Sequence, residues 1–256
     1  MPSLLRVKRS PEQLKGLVER GTFTLWRLTT RATTDRTRYS GFLAAATYLP
    51  WRADATFHRL HHEVSGHTLV PVSRLYELYD LVGQLAGLPG DLLEVGVWRG
   101  GSGCLIAAQA ARTDPKAAVF LADTFSGVVK AGERDPNYGG GEHSDTSEAT
   151  VRALGAQLAL TNIDLLVGTF PDDTAAAIAH RRFKLAHIDV DTYRSAADVT
   201  QWVWPRLSVG GVLVYDDYGT PTTSGVREFV DEFRGTPGAR VIHNLNQHAI
   251  VVKFAE

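Results

Sequence analysis

The sequence is poor in cysteine and carries no excess of one charge. Cys104 is the single cysteine, so neither an intramolecular disulfide nor a cysteine-based metal site can form. The 27 Lys and Arg residues nearly balance 28 Asp and Glu residues, which gives a formal net charge of −1. We therefore expect neither nucleic acid nor an anionic membrane as a partner, because both select a basic surface.

Long apolar runs and several familiar motifs are also absent. No stretch of about 18 apolar residues could span a membrane, and residues 1–9 lack the apolar core of a signal peptide. With a single cysteine, this predicts a cytoplasmic protein. The sequence has no G-x-S-x-G elbow and no G-x-x-x-x-G-K-[ST] loop, so hydrolase and P-loop functions have no support.

The chain divides into two regions of different pattern. Its 256 residues, 44% of them hydrophobic, are enough for one sizeable α/β domain with an accessory segment. Residues 1–67 carry scattered aromatics without strand alternation, and we predict a cap of helices and loops that contacts substrate or a second subunit. Exposed aromatics need burial, so a homo-oligomer is expected. Residues 68–256 are regular and form the predicted main domain.

Strands and helices alternate at short intervals in the main domain. This pattern predicts a mostly parallel, seven-stranded, Rossmann-like α/β sheet with helices on both faces and a C-terminal β-hairpin. Ligands of such sheets bind beyond the carboxyl ends of the strands. Strands are predicted over residues 92–97, 118–123, 163–167, 183–190, 211–215, 240–243 and 249–254, and helices over 72–85, 102–112, 147–158, 172–180, 195–204 and 224–233.

The first strand ends in a glycine-rich loop with the pattern E-x-G-x-x-x-G-G. Glycines let the backbone turn tightly against a ligand, and the following helix offers free N–H groups. The alternative is a tight turn that binds nothing. We predict cofactor contacts from Glu94, Gly96, Val97, Trp98, Gly100, Gly101 and Ser102.

The next two strand ends predict further cofactor contacts. A carboxylate at Asp123 can accept hydrogen bonds from both hydroxyls of a ribose, and Phe170 could form a wall beside an adenine. Alternatively, Asp123 caps a loop and Asp172 caps a helix. The predicted contacts at these ends are Asp123, Thr124, Ser126, Gly168 and Phe170.

Four carboxylates follow the fourth and fifth strands, in His187-Ile-Asp-Val-Asp-Thr-Tyr193 and Val214-Tyr-Asp-Asp-Tyr-Gly219. Such neighbours would repel one another and raise one another's pKa values. A hard divalent cation removes this repulsion, and a set of oxygen ligands suits Mg²⁺ or Mn²⁺. The alternative is helix capping by Asp191 and a turn at Asp216 and Asp217.

Histidines give a weaker signal. His58, His61, His62 and His67 cluster before the main domain, where solvated or interface histidines are favoured over a zinc site because no acidic or cysteine partner has matching spacing. His143 lies in a glycine-rich stretch and could reach a substrate if that stretch closes as a lid. An ordinary loop histidine is the alternative.

Four of these motifs together resemble the macrocin O-methyltransferase family, whose members methylate sugar hydroxyls of antibiotics. They are Glu94-Val-Gly-Val-Trp-Arg-Gly-Gly101, Ala122-Asp-Thr-Phe-Ser-Gly127, His187-Ile-Asp-Val-Asp-Thr-Tyr193 and Asp216-Asp-Tyr-Gly219, within a resemblance that covers about residues 68–254. An enediyne pathway of the calicheamicin type is compatible with it. The chain departs from the family's pattern in its first 65 residues and at Val128-Val-Lys130. Both regions are expected to shape the acceptor pocket, so the resemblance does not specify the acceptor molecule.

The resemblance implies a class I methyltransferase domain over residues 68–256, with S-adenosylmethionine as cofactor. It implies Mg²⁺ (or Mn²⁺) held by Asp189, Asp216 and Asp217, with Asp189 also near the cofactor and Asp191 as the general base. The expected acceptor is a sugar hydroxyl of a glycosylated natural product. Alternatives are a metal-dependent methyltransferase of a catechol or another phenol, an NAD-dependent oxidoreductase, and a non-catalytic protein with a decayed site.

Overall fold

The computed structural model describes residues 48–256. Residues Pro50–Glu256 form one compact unit. Most of the predicted cap, residues 1–47, lies outside the described residues, so its role stays a prediction. Residues 50–67 belong to the same compact unit as the sheet.

Seven strands form one sheet in the order β3-β2-β1-β4-β5-β7-β6. Strands β1 to β5 are parallel, whereas β7 runs antiparallel to both β5 and β6. The predicted fold class is therefore confirmed, including the closing hairpin. The strand bounds are β1 Asp91–Val95, β2 Val119–Asp123, β3 Ile163–Val167, β4 Phe183–Ile188, β5 Leu207–Tyr215, β6 Ala239–His243 and β7 Ala249–Lys253.

Helices cover both faces of the sheet because successive strand residues point to opposite sides. Leu92 packs in one core cluster with the first four helices, and Leu93 packs in the other with the last two. Within residues 48–256, no helix is long and apolar enough to cross a bilayer. The helix bounds are α1 Ala55–Val64, α2 Val72–Gln84, α3 Gly101–Thr113, α4 Glu148–Gln157, α5 Tyr193–Val203 and α6 Ser224–Phe233.

Two elements differ from their predicted form. The helix predicted over residues 172–180 is a 3₁₀ turn, Ala175–Ile178, because hydrogen bonds there mostly join residues three apart. The residue before this turn, Thr174, makes no capping hydrogen bond through its side chain. Asp172 does not cap it either, and pairs instead with Lys130. Strand β5 begins at Leu207, earlier than the predicted start at residue 211. Its pairing with β4 is irregular before Val212, and the Gly210-Gly211 pair interrupts the apolar pattern from which a strand is predicted.

Candidate active site

A cavity opens at the carboxyl edge of the sheet, where β1, β2, β3, β4 and β5 end. Its volume is about 240 Å³, just below the range of roughly 300–1,000 Å³ that small-molecule sites occupy. Most of the predicted site residues line it: Gly96, Val97, Trp98, Ser102, Asp123, Thr124, Gly168, Phe170, Asp189, Asp191, Asp216 and Asp217.

Strands β1 and β4 approach each other closely at the cavity floor. Gly96 has a φ of +88°, and a Cβ placed there would lie 1.7 Å from the carbonyl oxygen of Asp189. The Asp189 N–H also donates to the Val95 carbonyl at 2.9 Å. Glycine is therefore required at position 96 to bring the first loop against the carboxylate-bearing strand end.

Four predicted cofactor residues do not line this cavity. Glu94 is fully buried, and Ser126 is exposed to solvent. Gly100 faces Val151, and Gly101 faces the backbone of His67. These two glycines let the start of helix α3 pack closely against Val151 and His67. The sequence pattern could not distinguish this packing from contact with a ligand.

Asp123 organises the first loop. Its Oδ2 accepts from the N–H groups of Val97 at 2.7 Å and Trp98 at 2.9 Å, while its Oδ1 accepts from Phe125 N–H at 2.7 Å. The capping role that the sequence left open is thus present. Each carboxylate oxygen has two lone pairs, so these three donors leave one acceptor site, on Oδ1, for a ribose hydroxyl. Phe170 lies edge-on against Trp202, with centroids 5.0 Å apart.

The four strand-end aspartates come together on one side of the cavity. Carboxylate oxygens of Asp189, Asp216 and Asp217 all lie within 4.8 Å of one another. Asp191 has a φ of +62°, and its N–H donates to Asp217 Oδ2 at 3.0 Å. Burial, followed by the charges of neighbouring aspartates, raises the pKa of both Asp189 and Asp217 well above the ordinary value.

Asp216 differs from its neighbours because it is surrounded by cations and donors. Arg74 donates to its Oδ2 and to its backbone carbonyl, the latter at 2.8 Å. His248 Nε2 lies 2.8 Å and His187 Nε2 lies 3.6 Å from Asp216 Oδ1. Burial opposes ionisation of Asp216, but the contacts with His187, His248 and Arg74 outweigh it and lower the pKa.

His187 lies between two carboxylates. Its Nδ1 is 2.8 Å from Glu94 Oε1, so Glu94 serves this histidine and not the cavity. Burial opposes the charged imidazole, yet the nearby Asp216 carboxylate and the hydrogen bond with Glu94 raise the pKa of His187 to about 10. The sequence placed His187 beside the aspartates but gave no sign of its pairing with Glu94.

A long loop, residues 124–146, folds back over the cavity. Tyr138 donates to Asp191 Oδ1 at 2.6 Å, and His143 lines the cavity. Lys130 pairs with Asp172 and Asp198, each at 2.7 Å, which ties the loop to the 3₁₀ turn and to helix α5. Sequence analysis missed Tyr138, Arg74 and His248 because each reaches the aspartates from a distant part of the chain.

The far end of the long loop contacts the first loop. Asp145 accepts from Trp98 Nε1 at 2.8 Å and pairs with the Arg99 guanidinium at 2.5 Å. The Arg99 guanidinium also lies 4.4 Å from the centre of the Trp98 ring. One segment therefore touches both the glycine-rich loop and the aspartate cluster.

Comparison with known proteins identifies the class. Residues 52–250 match the macrocin-O-methyltransferase (TylF) family. Mycinamicin III 3''-O-methyltransferase of Micromonospora griseorubida is 31% identical over 219 residues, which cover 80% of this chain and 83% of that protein. A tetracenomycin 4'-O-methyltransferase of Streptomyces olivaceus is 32% identical over 191 residues, covering 67% and 69% of the two chains.

Solved structures agree on the fold. The O-methyltransferase NovP superposes with a TM-score of 0.64 at 26% identity and covers 74% of this chain and 83% of its own. The calicheamicin methyltransferase CalS11 superposes with a TM-score of 0.62 over 100% of this chain and 98% of its own; at 18% identity it supports the fold alone.

The sheet order, the glycine-rich first loop and the strand-end cavity define a Rossmann-like O-methyltransferase that uses S-adenosylmethionine. More narrowly, the chain belongs to the macrocin O-methyltransferase family. The predicted family is confirmed, and the oxidoreductase alternative is set aside.

Proposed function

We propose that this enzyme methylates a sugar hydroxyl of a glycosylated natural product, using a divalent cation, Mg²⁺ or Mn²⁺, held by Asp189, Asp216 and Asp217. The observation that carries the proposal is the convergence of these three carboxylates beside Asp191 on one wall of the cavity. Four carboxylates at this point exceed what helix capping or turn formation requires.

The chemistry of the ligand set fits a hard cation. Burial and mutual repulsion oppose ionisation of Asp189 and Asp217, and a divalent ion would relieve both effects. All three ligands are oxygens, as Mg²⁺ and Mn²⁺ prefer. Bound there, the ion would supply Lewis-acid activation of the acceptor hydroxyl.

The chain's own residues account for the remaining steps. The loop around Gly96 and the Asp123 carboxylate are placed to hold S-adenosylmethionine, the methyl donor. Asp191 would accept the proton of the acceptor hydroxyl. The hydroxyl oxygen bonds to the methyl carbon as the bond from that carbon to sulfur breaks, and S-adenosylhomocysteine departs. Holding the two reactants in line is the other large contribution, because alignment converts a bimolecular step into a unimolecular one.

The choice of a sugar acceptor is supported by the relatives. The Streptomyces olivaceus protein acts, by its name, on 8-demethyl-8-(2,3-dimethoxy-alpha-L-rhamnosyl)-tetracenomycin C at a 4'-oxygen. Another relative, from Streptomyces niveus, is named a demethyldecarbamoylnovobiocin O-methyltransferase and is 30% identical over 191 residues. Both substrates are antibiotics or their precursors by name, which favours a related acceptor here.

The test is a methylation assay with full-length protein, S-adenosylmethionine and a rhamnosylated aromatic polyketide, against catechol as the competing acceptor. We expect methyl transfer to the sugar hydroxyl, loss of turnover in EDTA and recovery on adding Mg²⁺. Undiminished turnover in EDTA would exclude the metal role, and methylation of catechol alone would favour the phenol alternative. Either transfer would exclude a decayed site.

A further inference from the structure

Asp216 is the centre of a chain of five side chains, all of them buried except Glu77, which is partly exposed. His187 and His248 approach the same carboxylate oxygen, Oδ1, through their Nε2 atoms. Each histidine is backed by a glutamate at Nδ1: Glu94 lies 2.8 Å from His187, and Glu77 lies 2.5 Å from His248. Both imidazoles are fully buried, so no solvent competes for these contacts.

The Glu77 carboxylate is itself held by the turn between β6 and β7. Asn244 Nδ2 donates to Glu77 Oε1, and Asn246 Nδ2 donates to Oε2 at 3.1 Å. Glu77 lies on helix α2, so this arrangement joins a helix, a hairpin turn and the end of β5. A carboxylate fixed by two amides orients the imidazole beside it, and the imidazole in turn orients Asp216.

We propose that the Glu77–His248 pair is a positioning device for Asp216 that sets the affinity of the divalent-cation site. Both histidines present Nε2 to one oxygen of Asp216, and Arg74 contacts the other. The carboxylate is thereby held in one orientation before any ion arrives. Groups that orient the ligands of a metal commonly change its affinity by about 10–100-fold when they are removed.

This inference rests on the proposed metal role of Asp216. The geometry favours positioning over direct coordination by the histidines, because His248 Nε2 already lies at hydrogen-bond distance from Asp216 Oδ1. The two histidines and Asp216 also bring their polar atoms within 4.8 Å of one another, but neither histidine lines the cavity, whereas the three aspartates all do.

The decisive experiment compares two substitutions of His248 in the full-length protein saturated with S-adenosylhomocysteine. His248→Asn keeps a nitrogen near the Nδ1 position, facing Glu77, but removes the contact with Asp216. His248→Gln places a nitrogen near the Nε2 position and retains that contact. Titration with Mn²⁺, followed by the electron paramagnetic resonance of the free ion, measures the dissociation constant.

We expect the dissociation constant for Mn²⁺ to rise about 10–100-fold in His248→Asn and much less in His248→Gln. Glu77→Gln gives a second variant, with Asp80→Asn on the same helix as its matched control, since Asp80 is exposed and its carboxylate accepts a hydrogen bond from Gln84. Near-ultraviolet circular dichroism and S-adenosylhomocysteine affinity establish that each variant is folded.

Three results would overturn the inference. Wild-type affinity for Mn²⁺ in both His248→Asn and Glu77→Gln would remove the positioning role alone. A directly coordinated nitrogen in the electron spin echo spectrum of bound Mn²⁺ would make a histidine a ligand. Failure of the wild-type protein to bind Mn²⁺ would overturn the metal role itself, and this inference with it.

Discussion

The Tyr138 hydroxyl donates a hydrogen bond to Asp191 Oδ1 at 2.6 Å, across 53 positions of sequence. Burial, followed by the charge of Asp191, raises the pKa of Tyr138, so the phenol stays protonated and remains a donor. The contact joins the long loop to the residue proposed as general base. It fixes one carboxylate oxygen and leaves the other for a substrate.

Replacing Tyr138 with phenylalanine is expected to lower kcat about tenfold or more while leaving the KM for S-adenosylmethionine unchanged. A hydrogen bond to a charged group contributes roughly 1.5–3 kcal/mol, and its loss frees the base to rotate. Steady-state kinetics measure both constants. Tyr79→Phe is the control, because it removes a hydroxyl that bonds to Arg112 and belongs to a residue that does not line the cavity. Equal kcat values for Tyr138→Phe and wild type would contradict the proposed role.

Replacing Asp191 with asparagine is expected to reduce turnover by about 10²–10⁴-fold, because an amide cannot take up the proton. Binding of S-adenosylhomocysteine, measured by calorimetry, should stay close to that of the wild type. Asp164→Asn, an exposed substitution on β3, controls for the change of charge. Full activity in Asp191→Asn would assign the base to another group.

Replacing Gly96 with alanine is expected to destabilise the fold by about 2 kcal/mol or more, because a positive φ and a backbone clash coincide there. Chemical denaturation measures the free energy of unfolding. Gly132→Ala is the matched control: a Cβ there meets nothing within 4 Å, and surface changes usually stay within about 0.5 kcal/mol. Equal stabilities would show that β1 and β4 can separate without cost.

Cys104 is expected to resist thiol reagents in the folded protein. Burial, with a smaller effect from Glu94, raises the pKa of its thiol to about 12, so the reactive thiolate is scarce at neutral pH. Because the folded pKa lies above the unfolded one, this group's contribution to stability is complete below about pH 8.5 and is lost as the pH rises toward 12. Alkylation with iodoacetamide should require unfolding, and rapid labelling of native protein would refute this assignment.

The local sequence pattern was enough to predict most of the fold and the position of the aspartate cluster. Buried strands followed by glycine or aspartate stand out within a few residues, so Asp189, Asp216 and Asp217 could be placed at neighbouring strand ends without coordinates. The contacts of Asp216 with Arg74 and His248 span 142 and 32 positions and depend on packing that no local pattern records. The pairing of Glu94 with His187 could not be predicted for the same reason, since 93 positions separate them.

The reversed direction of the last strand has a consequence for how this enzyme can vary. Because β7 runs against its neighbours, the start of that strand, and not its end, lies beside Asp216. His248 therefore lies at the cavity edge of the sheet, at the end of the turn that joins β6 to β7. Substitutions in that turn are therefore expected to act on the proposed metal site from outside the cavity, without changing any residue that lines it.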